Sequence, residues 1–347
     1  MTSKECIDTL NRQIKLVLSN PLKHVINGWK SIRRQLFSLA PEQTSFSRRG
    51  FHASTDRIRQ RLEAAGGTFA KGYILALEHG SPDLIGPDLK LIEPELRGFG
   101  FEGASMGFAL LDRLTPWRRD RISRFLGGDG NAHAYMVHVG IGWVWARLPL
   151  NFRRLKKGLD PILSWLAFDG WGFHEGYFHW PKYIAGKSAP KKLCGYEHRV
   201  FDQGLGRSFW FVNGGDLERI ARAISNFAPG RRPDLWSGIG LAATYAGTIS
   251  EGLLGELHVK SGPYQPHLAQ GAAFAAKARQ RAGNLTDYTS LATTVLCNMS
   301  AQEAAQLCDK TLENLTDDTD EPAYEIWRKR IQNHFATNPQ PLPLRTK

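Results

Sequence analysis

The side chains best suited to proton transfer lie in one short segment that is rich in glycine and aromatic residues, 168–180. Its thirteen residues include six large aromatics, three glycines, two histidines and two carboxylates. Carboxylates and histidines exchange protons, glycine lets another backbone come close, and aromatic rings offer broad apolar faces. We interpret the segment as the wall of a functional site, although a tightly packed core turn with capping Asp and His side chains would use the same residues.

Four side chains in glycine- and aromatic-rich sequence are candidates for acid–base catalysis: Asp169, His174, Glu175 and Glu102. A carboxyl group held among apolar side chains has its pKa raised, so it can act as a general acid. Aromatic faces can stabilise a developing cation beside it. This combination suits proton-initiated cyclisation or isomerisation of a long unsaturated chain. Asp169 is the preferred proton donor, and Asp169→Asn would then abolish turnover.

The rings near these acids, and a second segment of similar composition at 201–211, supply candidates for substrate binding. An arginine in or near such a segment can hold an anionic head group, such as a carboxylate or a diphosphate. His198 and the N-terminal arginines are alternatives for that role. The charged residues have an alternative, structural role, in which Asp202 and Asp216 cap helices and Arg207 neutralises one of them. The predicted substrate-binding residues are Trp171, Phe173, Tyr177, Phe178, Trp180, Asp202 and Arg207.

The sequence lacks the motifs of common cofactor-dependent sites. Gly204-Leu205-Gly206-Arg207 comes nearest to a dinucleotide-binding motif, but it has no third glycine. Neither a phosphate-binding P-loop nor a nucleophile elbow is present. His174 and His179 are five positions apart, whereas metal-binding pairs on a helix prefer three or four. We therefore predict an enzyme without a cofactor and without a metal site.

The charge and cysteine content indicate the environment and the partners. The chain has 347 residues, 42% of them hydrophobic, and a formal net charge of +12. Basic clusters can attract phosphate, an anionic membrane surface or an acidic carrier protein, or they can form a solvated surface. No nucleic-acid-binding signature occurs. Four widely spaced cysteines match no metal-ligand pattern and suggest a reducing cytoplasm. The basic segment 14–37 is interpreted first as a mobile extension, with contact with a membrane surface as the alternative.

The organisation of the chain predicts a mainly α fold with few short strands. We expect a basic N-terminal extension at 1–44, one large domain at 45–336 and a loose proline-rich tail at 337–347. Short Gly-aromatic-Gly and Gly-aliphatic-Gly elements recur, as in 98–103 and 170–176. They suggest two related halves, 45–150 and 160–290, enclosing an apolar cavity, although a chain with 35 glycines also produces such patterns by chance.

Local signals define several elements. Thr55 can cap a helix that runs to Ala65 and ends at Gly66-Gly67, with a second helix from Phe69 to Glu78. Ser300-Ala301-Gln302-Glu303 has the pattern of a capping box and opens a helix through Leu312. The remaining strand candidates are 135–148 and 208–214.

Several of these segments, taken in order, resemble a bacterial family encoded in gene clusters for enediyne polyketides. They include Arg97-Gly98-Phe99, the segment 168–178 and Phe201-Asp202-Gln203-Gly204-Leu205-Gly206-Arg207. The likeness covers roughly residues 45 to 290 and excludes the N-terminal extension. It implies an accessory role beside an iterative polyketide synthase that makes a linear polyene, with an acyl carrier protein or the synthase as partner. The alternative is a different pathway with another unsaturated substrate, such as a polyprenyl chain. An enzyme and a non-catalytic protein that shields a polyene both remain open.

Overall fold

The mainly α prediction is confirmed. The computed structural model describes residues 41–115, 119–148, 156, 158–247, 249–315 and 321–338. These residues form fifteen α-helices and contain no strand. No helix within these ranges has the length and apolarity needed to cross a membrane. The predicted membrane-surface segment 14–37 and most of the predicted tail lie outside the described residues.

The helices follow one another with short connections. Their bounds are α1 (Phe46–Arg49), α2 (Asp56–His79), α3 (Gly86–Lys90), α4 (Pro94–Leu114), α5 (Arg121–Gly127), α6 (Ala134–Arg147), α7 (Leu166–Phe178), α8 (Glu197–Val212), α9 (Leu217–Ser225), α10 (Arg232–Tyr245), α11 (Glu251–Ser261), α12 (Gln265–Arg281), α13 (Asp287–Cys297), α14 (Ala301–Leu312) and α15 (Ala323–Thr337). A 3₁₀-helical turn at Pro41–Thr44 precedes α1, and further turns, such as Pro82–Leu84 and a π-helical turn at Pro181–Ala185, lie between the helices.

Both strand predictions are wrong. Residues 135–147 belong to α6, and 208–212 belong to the last turns of α8. Almost every residue of α6, from Ala134 to Trp145, is buried. A helix that is buried on all sides lacks the one-sided 3.6-residue pattern, so its sequence resembles that of a buried strand.

The predicted break at Gly66-Gly67 is also wrong, because α2 continues through both glycines. A side chain at Gly66 would place its Cβ 2.9 Å from the Cβ of Thr44. Gly66 therefore lets the segment before α1 pack directly against α2, and it does not end the helix. Two capping predictions are confirmed: Thr55 accepts a hydrogen bond from the Ile58 amide, and Ser300 with Glu303 forms a capping box.

The long helices pack in a continuous series. α2 packs on α4, α4 on α6, α6 on α7, α7 on α8, α8 on α10, and α10 on α12. At the far end, α12 also contacts α13, α14 and α15. The segment 168–180, which the sequence singles out, therefore forms a helix in the middle of the series, with α6 and α8 on either side.

The Gly-x-Gly elements are contact points between successive helices. Residues two apart on an α-helix point about 200° apart, so they face nearly opposite sides. A Cβ on Gly170 would lie 1.9 Å from the carbonyl oxygen of Val139 on α6, and one on Gly172 would lie 1.9 Å from that of Phe201 on α8. α6, α8 and α10 use the same device at Gly140 and Gly142, Gly204 and Gly206, and Gly238 and Gly240. Helix packing thus accounts for the recurring glycines, and the division into two halves stays a prediction.

Candidate functional site

An aromatic-walled space, which we call the inner cavity, lies between helices α2, α4, α6, α7 and α8. Its volume is about 30 Å³, enough for about two water molecules. Most of its walls are aromatic rings, and two charged side chains, Glu102 and Arg207, complete them. The lining residues are Thr44, Ala65, Gly66, Phe69, Phe99, Glu102, Trp143, Phe173, Tyr177, Phe178, Arg207 and Phe211.

Glu102 is the acid of the inner cavity. It lies on α4 with only 2% of its surface exposed. Its Oε1 accepts a hydrogen bond of 2.9 Å from the indole N–H of Trp143. Burial raises the pKa of Glu102 from 4.5 to about 7, and the charge of Arg207 and the Trp143 hydrogen bond only partly offset this effect. At neutral pH this carboxyl is therefore poised to donate or accept a proton.

Trp143 connects the acid to the rings, and the sequence analysis missed it. Its ring stacks on Phe69 at 4.1 Å between centroids and lies 5.5 Å from Phe173 and 5.8 Å from Phe178. The residue was hidden in the segment interpreted as a strand. Its position directly after Gly142 repeats the Gly-aromatic pattern of α7, which was the available signal.

Asp169 is buried in an ion pair and does not line the inner cavity. The guanidinium of Arg207 contacts its Oδ1, and the amide of Gln203 donates a hydrogen bond of 2.8 Å to its Oδ2. Gln203 is in turn within 3.2 Å of the hydroxyl of Tyr324 on α15. Both carboxylate oxygens of Asp169 thus face partners inside the core, whereas Glu102 lines the inner cavity. This arrangement favours Glu102 over Asp169 as a proton donor.

Arg207 links the ion pair to the cavity. It lies on α8, one helix away from Asp169, with its guanidinium carbon 4.9 Å from the centroid of the Phe173 ring. Burial opposes its charge, but Asp169 and Glu102 outweigh this effect, so the pKa of Arg207 is raised. Arg207 thus pairs directly with Asp169 on α7 and also faces Glu102 in the inner cavity.

Three of the predicted substrate-binding residues lie away from the inner cavity. Trp171 is buried against Phe201 on α8. Asp202 forms two hydrogen bonds with Arg231, the shorter at 2.5 Å. Trp180 follows α7 and donates a hydrogen bond of 3.0 Å from its indole to the carbonyl of Arg49. By contrast, Phe173, Tyr177, Phe178 and Arg207 all line the cavity.

A second space, which we call the outer pocket, adjoins the inner cavity and shares the half-buried Phe178 as a lining residue. It is open to solvent and has a volume of about 460 Å³. Its walls are cationic, with three arginines and two histidines. The charged and aromatic lining residues are Arg48, Arg49, Arg147, His174, Phe178 and His179.

His174 and Glu175 belong to this outer region. Burial lowers the pKa of His174 to about 4, and the ring is neutral at neutral pH. Burial alone would raise the pKa of Glu175, but hydrogen bonds and charges from His174 and His179 outweigh it and lower that pKa. The His179 ring lies 2.9 Å from Glu175 Oε2. These two predicted catalytic residues thus form a cluster at the outer pocket, separate from Glu102.

The same cluster provides the one group of potential metal ligands in the described ranges. One ligand atom each from His174, Glu175 and His179 lies within 4.8 Å of the others. The five-residue spacing fits because α7 ends at Phe178 and the chain turns at His179, whose φ and ψ are −129° and 34°. The Nε2 of His174 already accepts a hydrogen bond from Arg147, and nearby guanidiniums repel a cation. We assign no metal to the cluster.

Fold and site together define a mainly α-helical protein with an aromatic-walled cavity that holds a buried carboxyl group beside an open cationic pocket. The chain belongs to the family described as protein of unknown function, DUF1702, which matches residues 28–335. No curated protein and no solved structure matches the chain.

Proposed function

We propose that this protein is an enzyme that encloses a long unsaturated hydrocarbon chain and protonates it from Glu102, and that cyclisation or isomerisation follows. The observation that carries the proposal is the raised pKa of Glu102, about 7, in a cavity walled by aromatic rings. General acids work best with a pKa near the operating pH. The rings offer π faces to a carbocation in a space with little water.

The proposed chemistry balances without an oxidant or a reductant. The proton of Glu102 and the π electrons of one double bond form a new C–H bond, which leaves a cation on the adjacent carbon. A second double bond can supply the electrons that close a ring. Loss of a proton from a neighbouring carbon to the Glu102 carboxylate restores the acid and forms the final double bond. The product is therefore an isomer of the substrate.

Binding a long chain requires the rings to move. A volume of about 30 Å³ is far smaller than such a chain needs. Phe178 is the side chain best placed to move, because it is only half-buried and borders both spaces. The segment before α1 is attached to the same wall by one hydrogen bond of 3.2 Å, from the Tyr177 hydroxyl to the carbonyl of Thr44. Breaking that bond would let the segment move together with Phe178.

The choice of substrate rests on chemistry and on a resemblance. A linear polyene and a polyprenyl chain both present repeated double bonds to the rings. The likeness to proteins of enediyne gene clusters points to a polyene supplied by a carrier protein or polyketide synthase, whereas the arginines of the outer pocket point to a chain with an anionic head, such as a polyprenyl diphosphate. The rival role is a protein that binds and shields such a chain without changing it, and the aromatic-walled cavity is compatible with that role as well.

Incubation of the purified protein with polyprenyl diphosphates and linear polyenes in D₂O tests the proposal. We expect an isomer of the substrate in which one hydrogen is replaced by deuterium, detected by mass spectrometry. Glu102→Gln should lower turnover at least about 100-fold, because it removes the general acid. Turnover should also fall as the pH rises past about 7, since Glu102 then loses its proton.

Glu175→Gln is the matched control, because it makes the same chemical change in an acid outside the inner cavity. If Glu175→Gln loses turnover while Glu102→Gln keeps it, Glu102 is not the donor. Saturable binding with no new product from any of these chains would instead support the shielding role.

A further inference from the structure

The outer pocket brings together three guanidinium groups, and the nearby carboxylate of Glu175 contacts His174 and His179 instead. Among the described residues, none of Arg48, Arg49 and Arg147 forms an ion pair with an acid. Other arginines that the structure describes, such as Arg199, Arg207 and Arg231, are paired with aspartates. Three unpaired guanidinium groups in one concave space repel one another. An anion in that space would remove the repulsion.

The guanidinium groups are held in place by neighbours that leave most of their N–H donors free. Arg49 Nε donates to the carbonyl of Gln43 at 2.6 Å, and Arg147 Nε donates to His174 Nε2 at 3.1 Å. Both guanidiniums lie over the Phe178 ring, at 4.4 and 5.4 Å from its centroid. A guanidinium has five N–H donors, so each retains donors for a ligand.

The charges of the pocket also act on one another. The pKa of Arg49 is lowered by burial, with Arg48 and Arg147 adding to the effect, and burial also lowers the pKa of Arg147. The His174 ring is neutral at neutral pH, so it can accept the Arg147 hydrogen bond and orient that side chain. The pocket thus presents oriented guanidinium N–H donors to an anion with several acceptor oxygens.

We propose that the outer pocket binds a phosphate or diphosphate group, which is the head of the amphiphilic substrate whose chain enters the inner cavity past Phe178. Its role as a head-group site rests on the proposed function, whereas the anion site itself does not. Three guanidiniums match a group with two or more negative charges and several acceptor oxygens better than a single carboxylate. Protonation of the chain at Glu102 leaves the head group attached.

Calorimetric titration of the full-length protein with inorganic pyrophosphate, inorganic phosphate and acetate tests the anion site. We expect saturable binding of pyrophosphate and phosphate, with acetate much weaker. Arg147→Gln and Arg49→Gln should each weaken pyrophosphate binding at least about tenfold, because hydrogen bonds to a charged ligand are lost. Arg57→Gln is the matched control: it removes the same charge from an exposed position outside the pocket, and it should leave the affinity unchanged.

Equal weakening by Arg57→Gln, acetate binding as tight as pyrophosphate, or no saturable pyrophosphate binding would each overturn the proposal. Arg48→Gln, at an exposed position, provides a third variant should either of the others fold poorly.

Geranyl diphosphate separates the head-group role from a site for a free anion. It should bind more tightly than pyrophosphate if its chain enters the inner cavity, and equal affinities would contradict the head-group role. Pyrophosphate binding without turnover of any chain would contradict the proposed function but not the anion site. Turnover of unsaturated chains without pyrophosphate binding would contradict the anion site alone.

Discussion

Replacing Arg207 with methionine is expected to lower the free energy of unfolding by about 3–5 kcal/mol. The Arg207–Asp169 pair is buried, with 5% and 0% of the two side chains exposed. Methionine has a similar length but no charge, so the variant leaves the carboxylate of Asp169 without its cation in the core. Chemical denaturation of the variant and the wild-type protein at the same pH measures the change.

Two further variants separate the loss of the pair from the loss of packing. Asp169→Asn combined with Arg207→Met removes both charges, and we expect it to recover much of the lost stability. Arg124→Met is the surface control, because Arg124 pairs with the exposed Asp83 and is itself only half-buried, and surface pairs contribute about 0–1 kcal/mol. A double variant as unstable as Arg207→Met alone would contradict the view that the unpaired charge is the cause.

The second large effect is expected from Gly204→Ala. A Cβ at this position would lie 1.7 Å from the carbonyl oxygen of Asp169 on the neighbouring helix. Backbone cannot yield as a flexible side chain does, so α7 and α8 would have to separate. Overpacking a core typically lowers the free energy of unfolding by about 1–3 kcal/mol. We expect Gly204→Ala to reach or exceed the upper value, and a large drop in the midpoint of thermal unfolding would show it.

Gly67→Ala is the matched control for Gly204→Ala. Gly67 also lies within α2. Apart from its chain neighbours and the backbone of its own helix, no heavy atom would lie within 4 Å of a Cβ at Gly67. Alanine in place of an unconstrained helical glycine stabilises by about 0.5–1 kcal/mol. Opposite signs at the two glycines would support close helix packing as the reason for the Gly-x-Gly elements. Equal effects would refute it.

Much of the fold could be predicted from local signals. Helix caps such as Thr55 and Ser300 are set by residues within one turn, and the structure confirms both. Alanine favours helix formation, and α12 is rich in alanine. Helix α6 and the last turns of α8 were harder to predict, because both are buried and their apolar runs do not distinguish a buried helix from a strand.

The site was predictable in composition but not in the roles of its acids. Sequence suggested carboxyls among aromatics, and both Asp169 and Glu102 fit that description. Which acid lies in an ion pair and which one faces the cavity depends on contacts between helices, because Arg207 on α8 pairs with Asp169 while Glu102 accepts a hydrogen bond from the Trp143 indole. Trp143 was missed for a related reason: its contacts reach α2, α4 and α7 only after folding.

The protonation of Glu102 is the central claim, and it can be tested without a substrate. The folded protein has a Glu102 pKa of about 7, against 4.5 for an ordinary glutamate. An acid with a raised pKa in the folded state contributes stability below pH 4.5, and this contribution is lost as the pH rises through about 7. The loss amounts to about 3 kcal/mol.

Other buried groups titrate in the same range with the opposite sign. Burial lowers the pKa of His133, His174 and His267 to about 4, so these residues cost stability as the pH falls below their ordinary value of 6.5. The wild-type protein and Glu102→Gln share these histidines. The difference between the two proteins therefore isolates the contribution of Glu102.

The deciding measurement is the free energy of unfolding of both proteins by chemical denaturation from about pH 4 to about pH 8. We predict that Glu102→Gln gains on the wild-type protein by about 3 kcal/mol as the pH rises across this range. A difference that stays constant with pH would mean that Glu102 is an ordinary ionised carboxylate, and it would contradict the account.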